Sequence, residues 1–257
     1  METKKAIVTG ASEGIGRAIA LKLGQAGYQV CGVARNKERL NELKLELGDR
    51  ALECEIADLS SQKGVADLAN YLKTQKFDLL VNNAGYGVYG DFAKTPYEKL
   101  KNMMELNCFA LTELSHAYLE GAKPGDALMN VASTLAFLPF PYGSVYAATK
   151  AFVVSLSESL WYEQKEKNVY VCALCPGATS TRFHAYAGGD KQSAPPKAIL
   201  QTPEQVADVA LSALKSRCDP TVISGFKNAT MIFGTRLMSR KTTVSMMGKI
   251  ASKEVQQ

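Results

Sequence analysis

Lys4-Lys5-Ala6-Ile7-Val8-Thr9-Gly10-Ala11-Ser12-Glu13-Gly14-Ile15-Gly16 decides how the rest of the chain is read, because its apolar periodicity changes in the middle. The first part is a short apolar run that reads as a buried strand. After the glycines, Ile15, Ala18, Ile19, Leu21, Leu23 and Ala26 form the apolar side of a helix that Gly27 closes as a C-cap. Glycines let a backbone approach a pyrophosphate, and the free N–H groups and dipole of a helix N-terminus favour its charge. The turn therefore reads as a dinucleotide site, with a tight turn that binds nothing as the alternative; its spacing is GxxxGxG rather than GxGxxG.

Outward from that turn, strand signals recur at residues 28 to 34, 51 to 56, 78 to 82, 126 to 131, 169 to 174 and 221 to 223, with helical patterns between them. That alternation is what a parallel sheet requires. At 257 residues and 46% hydrophobic the chain can bury one large α/β core, and no repeat or Pro/Gly-rich linker marks a second domain. Thr95-Pro96 and Thr202-Pro203-Glu204 each read as an N-cap with proline at the first helical position. Residues 177 to 202, rich in Gly, Ser, Ala and Pro, read as a long loop of the kind that serves as a lid. An early first strand and the lack of any run of about eighteen apolar residues point to a soluble, cytoplasmic protein without a signal peptide or membrane span.

Ser144-Val-Tyr146-Ala-Ala-Thr-Lys150 carries the chemistry, since a helix places Tyr146 and Lys150 on one face. A phenol of pKa ~10 is a poor acid or base near neutrality, and an ammonium beside it favours the phenolate. Ser133, thirteen residues before the tyrosine, supplies a hydroxyl that could hold a carbonyl oxygen. Asn82-Asn83-Ala84-Gly85 ends a strand on the side where such sheets bind ligands, and its small residues allow close approach; a plain Asn/Gly turn is the other reading.

Of the six cysteines, Cys31, Cys54, Cys172 and Cys175 fall in apolar strand-like runs and read as buried free thiols. Cys172 and Cys175 have redox-motif spacing, but residues three apart in a strand face opposite ways. His116 lies in a helical segment and His184 in a loop, with no metal-ligand cluster around either.

Taken in order, Thr9-Gly10-x-x-x-Gly14-Ile15-Gly16, Asp58-Leu59, Asn82-Asn83-Ala84-Gly85, Asn107, Ser133, Tyr146-x-x-x-Lys150 and Pro176-Gly177 resemble the short-chain dehydrogenase/reductase family over roughly residues 4 to 225. The resemblance implies an α/β fold with a Rossmann-type, doubly wound parallel sheet of seven strands. It divides the chain into a single catalytic domain at 1–225 and a basic amphipathic C-terminal extension at 226–257. The implied reaction is hydride transfer between a nicotinamide and a carbonyl or secondary alcohol, without a metal. Tyr146 would be proton donor or acceptor, Lys150 would lower its pKa and hold the nicotinamide ribose, Ser133 would position the carbonyl, and Asn107 would support a water and proton relay. Gly10, Ser12, Glu13, Gly14, Ile15, Gly16, Arg35, Asp58, Leu59, Asn83, Ala84, Gly85, Pro176, Gly177 and Thr179, with Tyr146 and Lys150, would surround the cofactor, Asp58 at its adenine. The resemblance also favours a homodimer or homotetramer.

The end of the second strand chooses between cofactors. An acidic residue there would bind the ribose 2′-hydroxyl and repel a 2′-phosphate, whereas this chain has Ala34-Arg35, which favours NADP(H) over NAD(H). Many NADP-using relatives also carry a basic residue before the second glycine, and here Glu13 stands in that place. Arg35 could instead be a solvated strand-end charge or stack on the adenine.

Phe137, Leu138, Phe140, Tyr142, Phe183 and Tyr186 flank the catalytic segments, and a cleft lined by them would prefer an apolar ketone or acyl chain; core or dimer packing accounts for them equally well. Residues 220 to 253 hold six Lys or Arg and no Asp or Glu, so the net charge of +5 divides into +6 there and −1 elsewhere. Met231, Ile232, Phe233, Leu237 and Met238 interleave with those charges, so the strip could meet a membrane surface, an anionic acyl carrier or a partner subunit, or be a solvated amphipathic helix. The spacing predicts one amphipathic helical element over 226–251, with Phe233 and Leu237 closing over the cleft or a neighbouring subunit and Arg236, Arg240 and Lys241 in solvent. A nucleotide-sensing protein without catalysis is the alternative function, opposed by the complete set of Asn107, Ser133, Tyr146 and Lys150. Nucleic-acid binding, suggested by a pI of 8.8, would need a basic patch with aromatics outside the cofactor site.

Overall fold

A computed structural model describes residues 3–183, 187 and 200–255. Strand β1 (Lys5–Thr9) leads through the glycine turn into helix α1 (Gly14–Gln25), followed by β2 (Gln29–Ala34), α2 (Lys37–Leu47), β3 (Glu55–Ile56), α3 (Gln62–Thr74) and β4 (Leu79–Asn82). The second half runs α4 (Tyr97–Met104), α5 (Leu111–Gly121), β5 (Ala127–Val131), α6 (Ser144–Glu163), β6 (Tyr170–Cys175), α7 (Pro203–Ser216) and β7 (Thr221–Ile223). All seven strands are parallel, in the order β3-β2-β1-β4-β5-β6-β7. The winding reverses between β1 and β4, so their C-terminal ends open a crevice at the point where such sheets bind ligands.

Strands buried on both faces must be apolar where they are buried, as are β6 and the Ala6, Ile7 and Val8 centre of β1. Ala6 and Val8 pack with α1, α2 and α7 on one side, and Ile7 packs with α3 and α5 on the other. Cys172 and Cys175 fall into separate clusters on opposite faces, and Cys31, Cys172 and Cys175 are buried free thiols, with Cys54 half-buried. Helix α1 ends as expected, with Gly27 at φ +95° and Tyr28 and Gly27 donating to the Leu23 and Gly24 carbonyls. Thr202 caps α7 in a reciprocal pair with Gln205, and Pro203 is its first helical residue. At the other expected start Pro96 itself is the cap residue and α4 begins at Tyr97; the Thr95 hydroxyl donates back to the Asp91 carbonyl at 2.8 Å instead of capping.

Beyond β7 the chain forms two helices rather than one, α8 (Phe226–Arg236) and α9 (Arg240–Val255), parted by a turn at Leu237. The buried side of α9, Met247 and Ala251, packs on Leu138, Phe140 and Ala147 of the catalytic half. Phe233 and Leu237, expected to make that closure, are exposed, as are Arg236, Arg240 and Lys241. No helix among the described residues is long and apolar enough to cross a membrane.

Gly16 tests how tightly the turn is packed. An added Cβ would stand 2.5 Å from the Gly10 carbonyl oxygen and closer still to the Asn83 amide. Alanine in place of glycine inside a helix ordinarily gains up to about 1 kcal/mol. Here Gly16→Ala is expected to lose roughly 1–3 kcal/mol in urea unfolding, the cost of overpacking. An unchanged or raised midpoint would contradict the packing.

Candidate active site

Helix α6 begins after a backbone reversal in which Tyr142 takes φ 63° and Gly143 is the cap residue, and this sets Tyr146 and Lys150 one turn apart on the buried face. Each is only 5% exposed. The Lys150 ammonium donates to the Val131 carbonyl at the end of β5, 2.8 Å away, and lies 5.9 Å from the Tyr146 ring centroid. Two residues beyond Val131, the Ser133 hydroxyl lies close enough to the Tyr146 phenol to favour its ionised form. Burial pushes that phenol well above its ordinary value, with the Ser133 hydroxyl pulling only partly against it. Burial also depresses Lys150 to about 8, partly offset by the Cys108 and Cys175 thiols. The sequence reading expected the ammonium to lower the phenol. In the folded chain burial is the largest influence on the phenol and acts in the opposite direction.

Asn107 reaches this site from Glu105–Ala110, a π-helical turn between α4 and α5 that carries one extra residue per turn and re-aims its side chains inward. Its amide nitrogen donates to the Tyr86 carbonyl at 2.9 Å and to the Thr149 hydroxyl at 3.1 Å, and its oxygen accepts from the Tyr86 N–H at 3.2 Å. The Thr149 hydroxyl in turn donates to the Tyr146 carbonyl at 2.7 Å. Gly85 is required beside it, since a Cβ there would stand 2.9 Å from the Asn107 oxygen and 3.6 Å from the Lys150 ammonium. Tyr86 and Thr149 escaped the sequence reading; Thr149 was visible only as the residue before Lys150.

At the other end of the crevice the Asn83 amide donates to the Thr9 and Gly10 carbonyls at 2.9 and 3.3 Å, and the Thr9 hydroxyl accepts from the N–H groups of Asn83 and Ala84 at 2.9 and 3.0 Å. The Asn83 side chain thus braces the glycine turn. Helix α1 starts without a side-chain cap and without an acidic residue in its first turn, and Ser12, Glu13, Gly14 and Ile15 are half-buried at its mouth. Glu13 is paired with Arg39 and lies 3.8 Å from Arg182. Arg35 is exposed at the end of β2, and its charge helps to lower Asp58, after the larger effect of the Ser60 hydroxyl bond. The Leu59 side chain belongs to the core, which leaves only its main chain to meet a ligand. Pro176 is buried, its carbonyl accepting from Thr134 at 2.9 Å, while Gly177 lies against Asn228 of α8 and the Thr179 hydroxyl donates to the Gly177 carbonyl at 3.0 Å. An uncapped helix start, a glycine-lined approach and flanking guanidiniums fit a dinucleotide with an anionic centre.

The segment after β6 crosses the crevice. Thr181 lies against Gly14, Arg182 reaches Glu13, and Phe183 meets the Tyr146 ring at a tilt of 51° with centroids 5.5 Å apart. Tyr89, absent from the sequence reading, meets the Tyr146 ring edge-on at 6.0 Å and Phe140 at 5.6 Å. Of the other expected lining residues, Phe137 packs with Val153 and Val154, and Leu138, Phe140 and Tyr142 pack with α9, so core packing accounts for them. His184, Tyr186 and most of the loop expected as a lid lie outside the described residues. His116 is exposed on α5, 3.8 Å from Glu120.

Residues 4–192 match the short chain dehydrogenase family model, and the chain belongs to the short-chain dehydrogenase/reductase family of oxidoreductases. It is 31% identical to a probable NADP-dependent dehydrogenase of Haemophilus influenzae, over 82% of this chain and 87% of that protein. Among solved structures, a short-chain dehydrogenase from Sphingobium yanoikuyae in complex with NADPH superposes with a TM-score of 0.80 at 31% identity, covering 91% of this chain and 93% of the other. A bulky-bulky ketone specific alcohol dehydrogenase from Comamonas testosteroni gives a TM-score of 0.76 at 27% identity, covering 92% of this chain and 93% of that one.

Burial of Lys150 carries a pH signature. Its folded value of about 8 lies below the ordinary 10.5, so the folded state disfavours its charge. That cost is fully present below pH 8 and is relieved as pH rises from 8 to 10.5. Lys150→Met should therefore be the more stable protein near neutrality, by up to about 3 kcal/mol, and its advantage should shrink towards pH ~10. Denaturant melts at the two pH values check this; a difference independent of pH would contradict it.

Proposed function

We propose that the protein is an NADPH-dependent reductase that interconverts an apolar ketone or 3-oxoacyl compound and its secondary alcohol, with Tyr146 as general acid and base. The observation that carries this reading is the buried Tyr146 phenol, beside the Ser133 hydroxyl and one helical turn from the Lys150 ammonium. Gly10, Ser12, Glu13, Gly14, Ile15 and Gly16 would hold the pyrophosphate at the α1 N-terminus, and Arg35, Asp58 and Leu59 the adenosine end. Asn83, Ala84, Gly85, Pro176, Gly177, Thr179 and Lys150 would surround the nicotinamide riboside. When bound, NADPH supplies the hydride.

The chain's own groups do the rest. Negative charge developing on the substrate oxygen is met by the Ser133 hydroxyl and the Tyr146 phenol, preorganised where water is excluded and such interactions are strong. Tyr146 then gives its proton to that oxygen. A phenol raised by burial is fully protonated at physiological pH and so holds its proton ready for reduction; the Lys150 ammonium, 5.9 Å from the ring centroid, would favour the phenolate left behind. Asn107, held on Tyr86 and Thr149, fixes the wall behind Lys150 and would support a water relay to it.

Arg35 supports a preference for NADP(H). Glu13 does not oppose it, because Arg39 and Arg182 neutralise its carboxylate. Tyr89 and Phe183 against the Tyr146 ring supply an apolar wall, in keeping with the ketone specificity of the Comamonas relative. The exposed Phe109 and Phe152, on the π turn and α6, are suited to a homo-oligomer contact.

A panel of bulky ketones and 3-oxoacyl thioesters, assayed with NADPH and NADH, tests the reading. NADPH oxidation with apolar ketones is expected, and Arg35→Ala should weaken NADPH roughly 10- to 100-fold, the worth of a charge-assisted pair, while leaving NADH nearly unchanged. No turnover of any carbonyl would contradict the proposed reaction, and a wild-type preference for NADH would contradict the cofactor assignment.

A further inference from the structure

Helix α8 presents an apolar ridge to solvent. Phe226, Phe233 and Leu237 are 82%, 65% and 80% exposed. On a 3.6-residue pitch they fall within about 40° of one another. The side that meets the body of the protein is elsewhere on the helix: Ile232 is buried, and Asn228 donates to the Ser224 carbonyl at 2.7 Å and to Gln201 at 3.4 Å. The ridge is therefore not a core face left open by poor packing. Lys227 and Arg236 flank it on either side, and Arg240 and Lys241 follow at the start of α9, all exposed. Residues 220 to 253 contain no Asp or Glu to balance them.

We infer that this ridge docks the protein on an anionic lipid surface, with Phe226, Phe233 and Leu237 entering the interface and Lys227, Arg236, Arg240 and Lys241 meeting the headgroups. Large apolar side chains with a one-sign basic border are the chemistry of interfacial helices, in which burial and headgroup attraction add. The same charge pattern argues against a second copy as the occupant. A two-fold contact through the ridge would bring the basic borders of both copies together, with no carboxylate between them. The inference is independent of the substrate, since none of these residues belongs to the proposed catalytic or cofactor set.

Vesicle flotation of the full chain tests it, with phosphatidylcholine vesicles alone and with phosphatidylserine added. Binding is expected only to the anionic vesicles and should fall as salt is raised. Lys227→Gln with Arg236→Gln should weaken it about fivefold per charge. The triple variant Phe226→Ser, Phe233→Ser, Leu237→Ser should abolish it while retaining the wild-type circular dichroism, oligomeric mass and turnover of a water-soluble ketone. Absence of wild-type binding, equal binding to both vesicle types, or full binding by the triple variant would overturn the inference. So would a lower oligomeric mass of that variant in light scattering, which would make the occupant a second copy.

Discussion

The site depends on keeping a lysine ammonium inside the protein. Lys150 has lost its water and has the Val131 carbonyl as its hydrogen-bonded partner. An ion in that position is costly unless the surroundings are fixed, and several local departures from regular structure fix them. The reversed backbone at Tyr142 and Gly143 starts α6 at the angle that brings Lys150 to the end of β5. The π turn at Glu105–Ala110 brings Asn107 to Tyr86 and Thr149, and Gly85 leaves room for both Asn107 and the ammonium. Behind them Asn82, Asn130, Ser115 and Ser157 form a buried hydrogen-bonded group joining β4, β5, α5 and α6.

What was legible in the sequence was whatever depends on local chemistry or period. The strand, glycine turn and helix at residues 4–27 were readable because glycine alone tolerates the close approach of Asn83 and the turn backbone. Tyr146 and Lys150 were readable because helical spacing puts them on one face. The parallel sheet followed from alternating periods, and its seven strands stand where they were expected, though β3 is reduced to Glu55–Ile56. Contacts made across the fold were not legible. The pairing of Glu13 with Arg39 joins the glycine turn to α2, and nothing in either segment marks it. Tyr89 reaches Tyr146 from a loop without periodicity. The direction of the Tyr146 shift was not legible for a related reason: spacing places a charge nearby, but burial is the larger influence on the folded phenol.

The tail divides in the same way. Its basic composition and apolar residues were plain, but the break at Leu237 was not, and it changes the assignment of faces. Helix α9 uses Met247 and Ala251 to cover Leu138 and Phe140, while α8 turns its phenylalanines outward. The guanidiniums around Glu13 and the basic border of α8 are thus separate electrostatic features, the first beside the glycine turn and the second on the outer surface.

The central claim is that the Tyr146 phenol gives the proton in carbonyl reduction. Replacing Tyr146 by Phe keeps the ring among Tyr89 and Phe183 and removes only the hydroxyl, so kcat for ketone reduction, measured beside NADPH affinity by fluorescence titration, isolates that proton. A loss of roughly 100-fold or more in kcat with NADPH binding nearly intact is the predicted result. Retention of more than about a tenth of wild-type kcat would contradict the assignment.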